Sequence, residues 1–268
     1  MVCVPLIFIV LFFLPPYVLT GVVALICAIS AYELLQAIGG KENDRVRIYS
    51  TFSAALIPIG AYFDLNALVV PAVLLVFMCL LFLEAIFAFK TIRQIKFTQI
   101  MIAIFAGVLI PLMLSSLINL KLMPEGHLIV LLPVISAFIT DGGAYFTGMA
   151  IGKKKITPLV SPNKTLEGCI GGLAAGTAGM LIYGLVLYGT TLHEIVFWAL
   201  FLYGLIGSAI TQLGDLAFSL IKREYGFKDY GRIIPGHGGM LDRFDSMVFT
   251  APAMYLLMAV IPAVVVNA

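Results

Sequence analysis

The sequence predicts an all-α fold, a polytopic bundle of helices that crosses a membrane about nine times. Hydrophobic residues make up 62% of the 268 positions and charged residues only 11%, less than half the share that is usual in a soluble domain. Apolar runs long enough to cross a bilayer, about 20 residues, recur along the chain. The four cysteines are scattered, without CxxC or metal-type spacing, and predict no disulfide framework.

The predicted spans follow one another with short polar loops between them. The first lacks the basic residues of a signal peptide, so we expect a membrane helix there. The third is the shortest and ends before Asp64. The spans lie near residues 3–18, 20–38, 50–63, 67–89, 98–119, 128–150, 168–188, 194–220 and 246–266.

The basic residues give the orientation. With a cytoplasmic N-terminus, the loops at 39–49, 90–97, 151–167 and 221–245 all face the cytoplasm. These loops hold fifteen of the sixteen Lys and Arg residues, and Lys121 is the exception. Cytoplasmic loops of membrane proteins are enriched in Lys and Arg. Eight spans would abolish this asymmetry, so the distribution supports nine.

Four acids lie inside or near the spans, where an ionised side chain is costly and is a functional candidate by default. Glu33 and Glu84 lie toward cytoplasmic ends, where a charged side chain can reach water. Asp215 precedes Lys222 by two helical turns, so both project from one face of the eighth span. Asp141 precedes two glycines, which we expect to loosen the helix and open a polar cavity. A structural hydrogen bond between helices is an equally open interpretation of Asp141.

The segment from Lys222 to Asp245 concentrates charge, since its 24 residues hold nine of the thirty charged side chains. Four cations near its start can neutralise a polyphosphate, and the PGHGG turn lets backbone N–H groups approach an anion. Asp242 lies three residues before Asp245, on the same face of the ninth span. Acids near Lys and Arg are more often salt bridges, but the location at the membrane edge and a third acid, Asp215, favour a divalent metal ion held by oxygen ligands. The four cations are Lys222, Arg223, Lys228 and Arg232.

A second polar loop, VSPNKTLEG at residues 160–168, is predicted on the same side of the membrane. Its simplest interpretation is a polar cap at the start of the seventh span. Beside the basic segment, it is also a candidate for completing a nucleotide site, although it lacks the GxxxxGK[ST] pattern of a P-loop. The small-residue run GCIGGLAAGTAGM, residues 168–180, is explained by close helix packing. The polar side chains of the loop are Ser161, Asn163, Lys164, Thr165 and Glu167.

The run SLIKREYGFKDYGRIIPGHGGMLDRFD, residues 219–245, resembles the signature of the phosphatidate cytidylyltransferases, also called CDP-diacylglycerol synthases. TQLGDLAFS (211–219) and SPNKTLEG (161–168) are also similar to that family, so the resemblance covers the C-terminal half from about residue 130. The first 120 residues share only the family's habit of several spans. The signature positions here are Ser219, Lys222, Arg223, Lys228, Asp229, His237, Gly238, Gly239, Asp242, Arg243 and Asp245.

The resemblance implies an enzyme of phospholipid biosynthesis that condenses CTP with phosphatidic acid, giving CDP-diacylglycerol and pyrophosphate. It implies Mg²⁺, with more than one cation, membrane lipids as partners, a homodimer and no nucleic acid. The site would lie on the cytoplasmic side of the inner membrane, where lipid phosphate meets cytosolic CTP. The chain would divide into N-terminal membrane helices over 1–120, with about five spans, and C-terminal catalytic helices over 121–268, with about four spans and cytoplasmic loops at 151–167 and 221–245.

The residue roles follow from the charge that this reaction handles. A phosphate monoester is already an anionic nucleophile, so the site must neutralise polyanions rather than supply a strong base. As metal ligands we expect Asp215, Asp242, Asp245 and Asp141. As catalytic residues we expect Asp215, Asp242, Lys222, Lys228 and His237, and as substrate-binding residues Ser161, Asn163, Lys164, Glu167, Arg223, Gly238, Gly239 and Arg243.

Two other functions are open on the sequence. DGGAYFTG at 141–148 superficially resembles the opening motif of CDP-alcohol phosphotransferases, but the arginine after Ala144 and the later aspartate pair are absent. An ion-coupled transporter would place Asp141 and Asp215 in mid-membrane and predicts an inverted repeat, which the sequence does not show. A lipid product that contains cytidine would exclude both.

Overall fold

The structure, a computed structural model, describes residues 11–39, 44–91, 94–191, 193–231 and 238–265. Almost all regular structure in these residues is helical, which confirms the predicted all-α class. A two-residue strand pair, β1 (Glu194–Ile195) and β2 (Val264–Val265), is antiparallel. The helices are α1 (Pro16–Gly39), α2 (Asp44–Tyr62), α3 (Asn66–Phe87), α4 (Phe97–Ile104), α5 (Ile110–Leu114), α6 (Ser116–Leu122), α7 (Gly126–Ile129), α8 (Leu131–Ile151), α9 (Leu166–Thr190), α10 (Phe197–Glu224) and α11 (Leu241–Val260).

Within the described residues, six stretches are long and apolar enough to cross a membrane, and each coincides with a predicted span. The third and ninth predicted spans correspond to α2 and α11, which are helices but are not among the six. Half of the first predicted span, residues 3–10, lies outside the described part of the chain, and its other half includes the start of α1 at Pro16. The six stretches are Pro16–Ile38, Ala67–Phe87, Phe97–Leu122, Gly126–Ile151, Leu166–Thr190 and Phe197–Glu224.

Two predicted spans are displaced along the chain relative to the helices: the eighth was expected to end at residue 220 and the ninth to begin at residue 246, whereas α10 continues to Glu224 and α11 begins at Leu241. The eighth was expected to begin at residue 194 and the ninth to reach residue 266, but α10 begins at Phe197 and α11 ends at Val260. Pro262 cannot continue a helix and disfavours helical geometry in the residue before it. The chain therefore leaves α11, and Val264 pairs with Ile195.

The described residues form two compact units, each assembled from separate parts of the sequence. The first unit contains the described parts of residues 1–13, 120–226 and 245–268, and includes α7 to α10 and most of α11. The second contains the described parts of 14–119 and 227–244, and includes α1 to α5. The charged segment 227–244 thus groups with the N-terminal helices. The division at residues 120 and 121 that the sequence suggested stays a prediction.

Glycines on α9 allow close packing against α8 and α10 in the first unit, as the small-residue run indicated. A Cβ at Gly172 would lie 3.0 Å from both Ala144 Cβ and the Thr140 carbonyl oxygen. A Cβ at Gly176 would collide with the hydroxyl groups of Thr140 and Ser208. These hydroxyl groups hydrogen-bond to each other at 2.8 Å, from α8 to α10. The three helices therefore meet where their side chains are smallest.

Helix α8 passes through Asp141 and its following glycines without a break. The expectation that Gly142 and Gly143 loosen this helix is therefore wrong. Gly143 faces α9 instead, where a Cβ would collide with Ala175 Cβ and lie 3.3 Å from the Gly171 carbonyl oxygen. Close packing of α8 against α9 accounts for this glycine, because the neighbouring helix leaves no room for a side chain.

The second unit contains a π-helix, Phe105–Leu109, between α4 and α5. Pro111 lacks the N–H group that would bond to the carbonyl of Gly107, and its ring crowds that carbonyl. The widened turn accommodates both effects. The Gly107 carbonyl oxygen instead accepts a hydrogen bond of 3.0 Å from the Oγ of Ser53 on α2.

Lys121, the basic residue that the predicted topology leaves outside the cytoplasmic loops, is only 8% exposed. Its Nζ donates hydrogen bonds to the carbonyl oxygens of Leu11 and Phe12, the second at 3.2 Å. These carbonyls belong to a helical stretch that stops before Pro15, where the last carbonyl groups need partners. A structural role for Lys121 explains its departure from the charge pattern.

The substitution Gly176→Ala should lower the thermal unfolding temperature of the purified protein in detergent. The new methyl group displaces two buried hydroxyl groups, and such overpacking typically costs about 1–3 kcal/mol. Gly189→Ala on the same helix is the matched control, since a Cβ there meets nothing within 4 Å and alanine favours a helix by up to about 1 kcal/mol. Equal unfolding temperatures for both variants would contradict the packing described for α9.

Candidate functional site

The first unit brings three acidic side chains of different helices within electrostatic reach of one another. Asp141 lies on α8, Asp215 on α10 and Asp245 on α11. The charge of Asp215 acts on both other acids, and Asp141 acts on Asp245. Asp141 is exposed, whereas Asp245 is only 9% exposed. We call these three residues the carboxylate cluster; it extends from the unit's surface to its interior.

Lys164 pairs with the central acid of this cluster. Its Nζ lies 2.5 Å from Asp215 Oδ2 and donates a hydrogen bond of 3.4 Å to the carbonyl oxygen of Gln212. Gln212 in turn donates from Nε2 to the carbonyl oxygen of Cys169 at 3.2 Å. These contacts fasten the loop before α9 to α10. The sequence suggested no role for Cys169. In the structure, its carbonyl oxygen accepts the hydrogen bond from Gln212.

Lys222 provides a second cation beside the cluster, with its Nζ 4.0 Å from Asp245 Oδ2. Both side chains are nearly buried, 11% and 12% exposed. Asp245 Oδ1 also accepts the N–H group of Ser246 at 2.7 Å. Three carboxylates and the two lysines leave one negative charge, which among apolar helices favours a bound cation.

The loop before α9 is held by backbone and capping contacts. Glu167 Oε2 accepts the N–H groups of Lys153 at 3.0 Å and Lys154 at 3.2 Å. Thr165 Oγ1 accepts the N–H group of Gly168 at 3.1 Å and so caps α9. The simpler interpretation of this loop, a polar helix cap, is thereby confirmed. The predicted contact of Glu167 with substrate stays a prediction.

Other predicted substrate-binding residues of the first unit lie near the same loop. The exposed Arg223 donates from Nε to the carbonyl oxygen of Val160 at 3.2 Å, which ties the loop to the end of α10. Ser161 is half-buried and Asn163 is exposed. Their side chains are accessible to a ligand, but their predicted substrate contacts are untested.

In the second unit, Asp242 folds the charged segment back on itself. Its Oδ2 accepts the N–H group of Tyr230 at 2.8 Å and that of Gly239 at 3.0 Å. These bonds join two arms of the segment, residues 227–231 and 238–241. The sequence predicted catalytic and metal-binding roles for Asp242, and the structure also gives it a role in shaping the loop.

Gly238 lies in the second arm with φ at +81°, in the left-handed region that favours glycine. A Cβ at this position would lie 3.2 Å from Asp242 Oδ2 and 3.5 Å from Asp229 Oδ1. The glycine therefore lets the backbone approach two carboxylates. Residues 235–237 of the predicted PGHGG turn lie outside the described residues, so the anion-binding turn stays a prediction.

Glu33 of α1 contacts this loop, a role that the sequence did not reveal. It is 1% exposed, and its Oε2 accepts the N–H group of Leu241 at 3.0 Å. An acid within an apolar run marked Glu33 as a candidate, but its partner lies 208 residues away along the chain. Only the folded structure shows that this carboxylate meets the signature segment.

A cavity of about 560 Å³ lies beside the first arm in the second unit. Its volume is within the usual range of small-molecule sites, roughly 300–1,000 Å³. Lys228 and Asp229 are exposed at this cavity, so a charged ligand can reach them. The lining residues are Gln36, Ala37, Phe227, Lys228, Asp229, Tyr230 and Gly231.

The structure therefore presents the predicted site residues as two groups. His237 and Arg232 lie outside the described residues. Arg243 is exposed in the first turn of α11. The shared metal site of Asp215 and Asp242 stays a prediction. The first unit holds Asp141, Ser161, Asn163, Lys164, Glu167, Asp215, Lys222, Arg223 and Asp245, and the second holds Lys228, Gly238, Gly239, Asp242 and Arg243.

The carboxylate cluster fits a magnesium ion by the chemistry of its donor atoms. Among the described residues, no three His, Cys, Asp or Glu side chains enclose a metal position. Mg²⁺ seldom needs such a cage, because it commonly binds one or two carboxylates together with substrate phosphates and water. Asp215 and Asp245 offer oxygen donors of this kind.

Comparisons with known proteins agree with this chemistry. A model of the Cytidylyltransferase family matches residues 1–261. A phosphatidate cytidylyltransferase of Thermotoga maritima is 32% identical over 266 residues, which cover 96% of this chain and 94% of the relative.

Two further relatives match over a shorter stretch. A phosphatidate cytidylyltransferase of Staphylococcus saprophyticus is 45% identical over 134 residues, 50% of each chain. One of Bacillus subtilis is 48% identical over 120 residues, 45% of this chain and 43% of the relative. The chain thus matches about half the length of these two relatives.

The contact between Lys164 and Asp215 predicts coupled effects on stability. Lys164→Met should destabilise the protein, because Asp215 loses its cationic partner. Adding Asp215→Asn should recover part of the loss, with a coupling free energy of about 0.5–3 kcal/mol. Unfolding of the single and double variants measures it. Lys155→Met, at an exposed position of the same loop, is the control and should change little; strictly additive effects would contradict the ion pair.

Proposed function

Since the chain belongs to the Cytidylyltransferase family, we propose that it is an integral-membrane nucleotidyltransferase of phospholipid biosynthesis. It condenses CTP with phosphatidic acid to give CDP-diacylglycerol and pyrophosphate. The single observation that carries this proposal is the carboxylate cluster with Lys164 and Lys222, built on apolar helices. Acids and cations at membrane helices suit a reaction between a lipid phosphate and a soluble polyanion.

We propose nine membrane spans with the N-terminus in the cytoplasm of a bacterial cell and the protein in its inner membrane. The distribution of Lys and Arg supports this orientation, and the six apolar helices support the membrane location. The loops at 151–167 and 221–245 would then face cytosolic CTP, while phosphatidate remains in the bilayer. Contacts with other membrane lipids and a homodimer rest on the family resemblance.

The reaction exchanges one phosphoanhydride bond for another. An oxygen of the phosphatidate phosphate forms a bond to the α-phosphorus of CTP. The bond from that phosphorus to the oxygen bridging to the β-phosphorus breaks, and pyrophosphate leaves with the electron pair. The attacking phosphate is already anionic near neutral pH, so the protein's main tasks are positioning and neutralisation of charge.

The basic residues supply the neutralisation. Lys164 and Lys222 are oriented by Asp215 and Asp245, so their ammonium groups are placed before substrate arrives. Such preorganised charge is effective because it needs no rearrangement during the reaction. Beside the cavity, Lys228 is positioned to meet a phosphate. We assign further substrate contacts to Ser161, Asn163, Glu167, Arg223, His237, Gly238, Gly239 and Arg243.

We propose Mg²⁺ as the cofactor, with more than one cation in the site. Asp215, Asp245 and Asp141 would hold it, together with Asp242 from the first turn of α11. When bound, Mg²⁺ neutralises charge on the triphosphate and on the leaving pyrophosphate. The chain's own part is to hold Asp215 beside Lys164 and Asp245 beside Lys222.

The direct test is an assay of the purified protein with radiolabelled CTP, phosphatidate and Mg²⁺ in mixed micelles. We expect label in the lipid fraction and one pyrophosphate released for each labelled lipid. Omitting phosphatidate or chelating Mg²⁺ should abolish both signals. Release of CMP from added CDP-diacylglycerol with an alcohol, or transport without chemistry, would contradict the proposal and support one of the rival functions.

The substitution Asp242→Asn separates loop shaping from catalysis. The amide oxygen can still accept the N–H groups of Tyr230 and Gly239, but the negative charge for a cation is lost. We expect a folded protein whose kcat is lower by about 100-fold or more. Glu84→Gln is a matched control within α3, where Glu84 pairs with Arg45 at 3.1 Å; it should retain activity. A near-normal kcat for Asp242→Asn would remove Asp242 from the cation site.

A further inference from the structure

The carboxylate of Glu33 lies buried against the start of α11 in the second unit. Its Oε2 accepts the N–H group of Leu241, the first residue of that helix, at 3.0 Å. The first N–H groups of a helix have no partner within the helix, so this bond satisfies one of them. Glu33 thereby fixes the helix start that carries Asp242.

Two glycines show that both arms of the charged segment close on this carboxylate. A Cβ at Gly231, in the first arm, would lie 2.6 Å from Glu33 Cδ and 2.9 Å from Glu33 Cγ. A Cβ at Gly239, in the second arm, would lie 2.5 Å from Glu33 Oε2. Contacts this short do not occur for real Cβ atoms, so both positions require glycine while Glu33 is in place.

The two acids at this loop have complementary contacts. Asp242 joins the arms to each other through the N–H groups of Tyr230 and Gly239. Glu33 joins the closed loop to α1 through Leu241. The position of the loop on the helix therefore depends on Glu33, whereas its internal shape depends on Asp242.

We infer that Glu33 is a positioning residue that anchors residues 227–231 and 238–241 to α1 and so places Lys228, Gly238, Gly239 and Asp242 for the triphosphate of CTP. Glu33 acts through the loop and does not contact the substrate. The identity of the ligand rests on the proposed function, whereas the anchoring of the segment does not. The loop requires a side-chain oxygen at position 33 that can accept the N–H group of Leu241. Glutamine has the same length as glutamate and provides such an oxygen, so it can replace Glu33.

The kinetic test compares Glu33→Ala with Glu33→Gln. We expect Glu33→Ala to lower kcat/KM for CTP by about 100-fold, the effect of displacing a reacting group by about 1 Å, while KM for phosphatidate stays within about twofold. Glu33→Gln should recover most of the activity. Equal losses in both variants would overturn the positioning role, because they would show that the charge itself is needed. An unchanged Glu33→Ala would overturn it as well.

Limited proteolysis tests the anchoring without any activity measurement. Chymotrypsin cleaves after aromatic residues, and Tyr230 is only 4% exposed whereas Tyr225 is 42% exposed. We expect Glu33→Ala to raise cleavage after Tyr230, relative to Tyr225, by about tenfold or more, as for a buried N–H group that is left without its acceptor. Glu33→Gln and the control Glu84→Gln should match the wild type. An unchanged cleavage ratio in Glu33→Ala would contradict the anchor.

A double-mutant cycle tests the close approach of Gly231 and Glu33. Gly231→Ala should accelerate cleavage after Tyr230 in the wild type, because the methyl group collides with the carboxylate. In the Glu33→Ala background the same change should have little effect, since the three atoms nearest to such a Cβ all belong to Glu33. Additive effects would overturn the inference. If the wild type makes no CDP-diacylglycerol, the proposed function fails, but both proteolysis tests still decide the role of Glu33.

Discussion

The ion pair between Lys164 and Asp215 is the interaction on which the candidate site depends. At 2.5 Å it holds the loop before α9 against α10, next to the helices that carry Asp141 and Asp245. Charged groups among apolar helices are costly unless they are paired, and Lys222 provides the second pair. The remaining negative charge gives the cluster a reason to bind a cation. The same ion pairs therefore stabilise the packing of these helices and prepare the cluster for a cation.

Small residues make this arrangement compatible with membrane helices. Gly172 and Gly176 bring α9 against α8 and α10, which carry Asp141 and Asp215. In the second unit, glycines have the same function at the loop: Gly231 and Gly239 leave space for the carboxylate of Glu33. In both units, a glycine on a neighbouring segment leaves the space that a charged or polar side chain occupies. Substrate-binding groups can then be rigid without a large soluble domain.

The sequence predicts the helices well, because a span of about 20 apolar residues has few alternatives in a membrane protein. It also draws attention to Asp215 as an acid in an apolar run and to Asp245 by its spacing from Asp242, and the structure places both in the carboxylate cluster. It misjudges Gly142 and Gly143, because α8 continues through both; at Gly143, tight contact with α9 outweighs the low helix propensity of glycine. It misses the role of Glu33, whose bond to Leu241 joins residues 208 positions apart and leaves no local pattern. Side chain to backbone contacts of this kind depend on the complete fold.

The central claim, that the carboxylates hold a cation on the triphosphate of CTP, is tested most directly by electron paramagnetic resonance with Mn²⁺ in place of Mg²⁺. For the wild type with CTP, we predict protein-bound Mn²⁺ with hyperfine coupling to ³¹P. This bound signal should be lost or greatly weakened in Asp215→Asn and Asp245→Asn, measured on folded protein. A wild-type spectrum identical to that of free Mn²⁺–CTP, or a bound spectrum that neither substitution changes, would contradict the account.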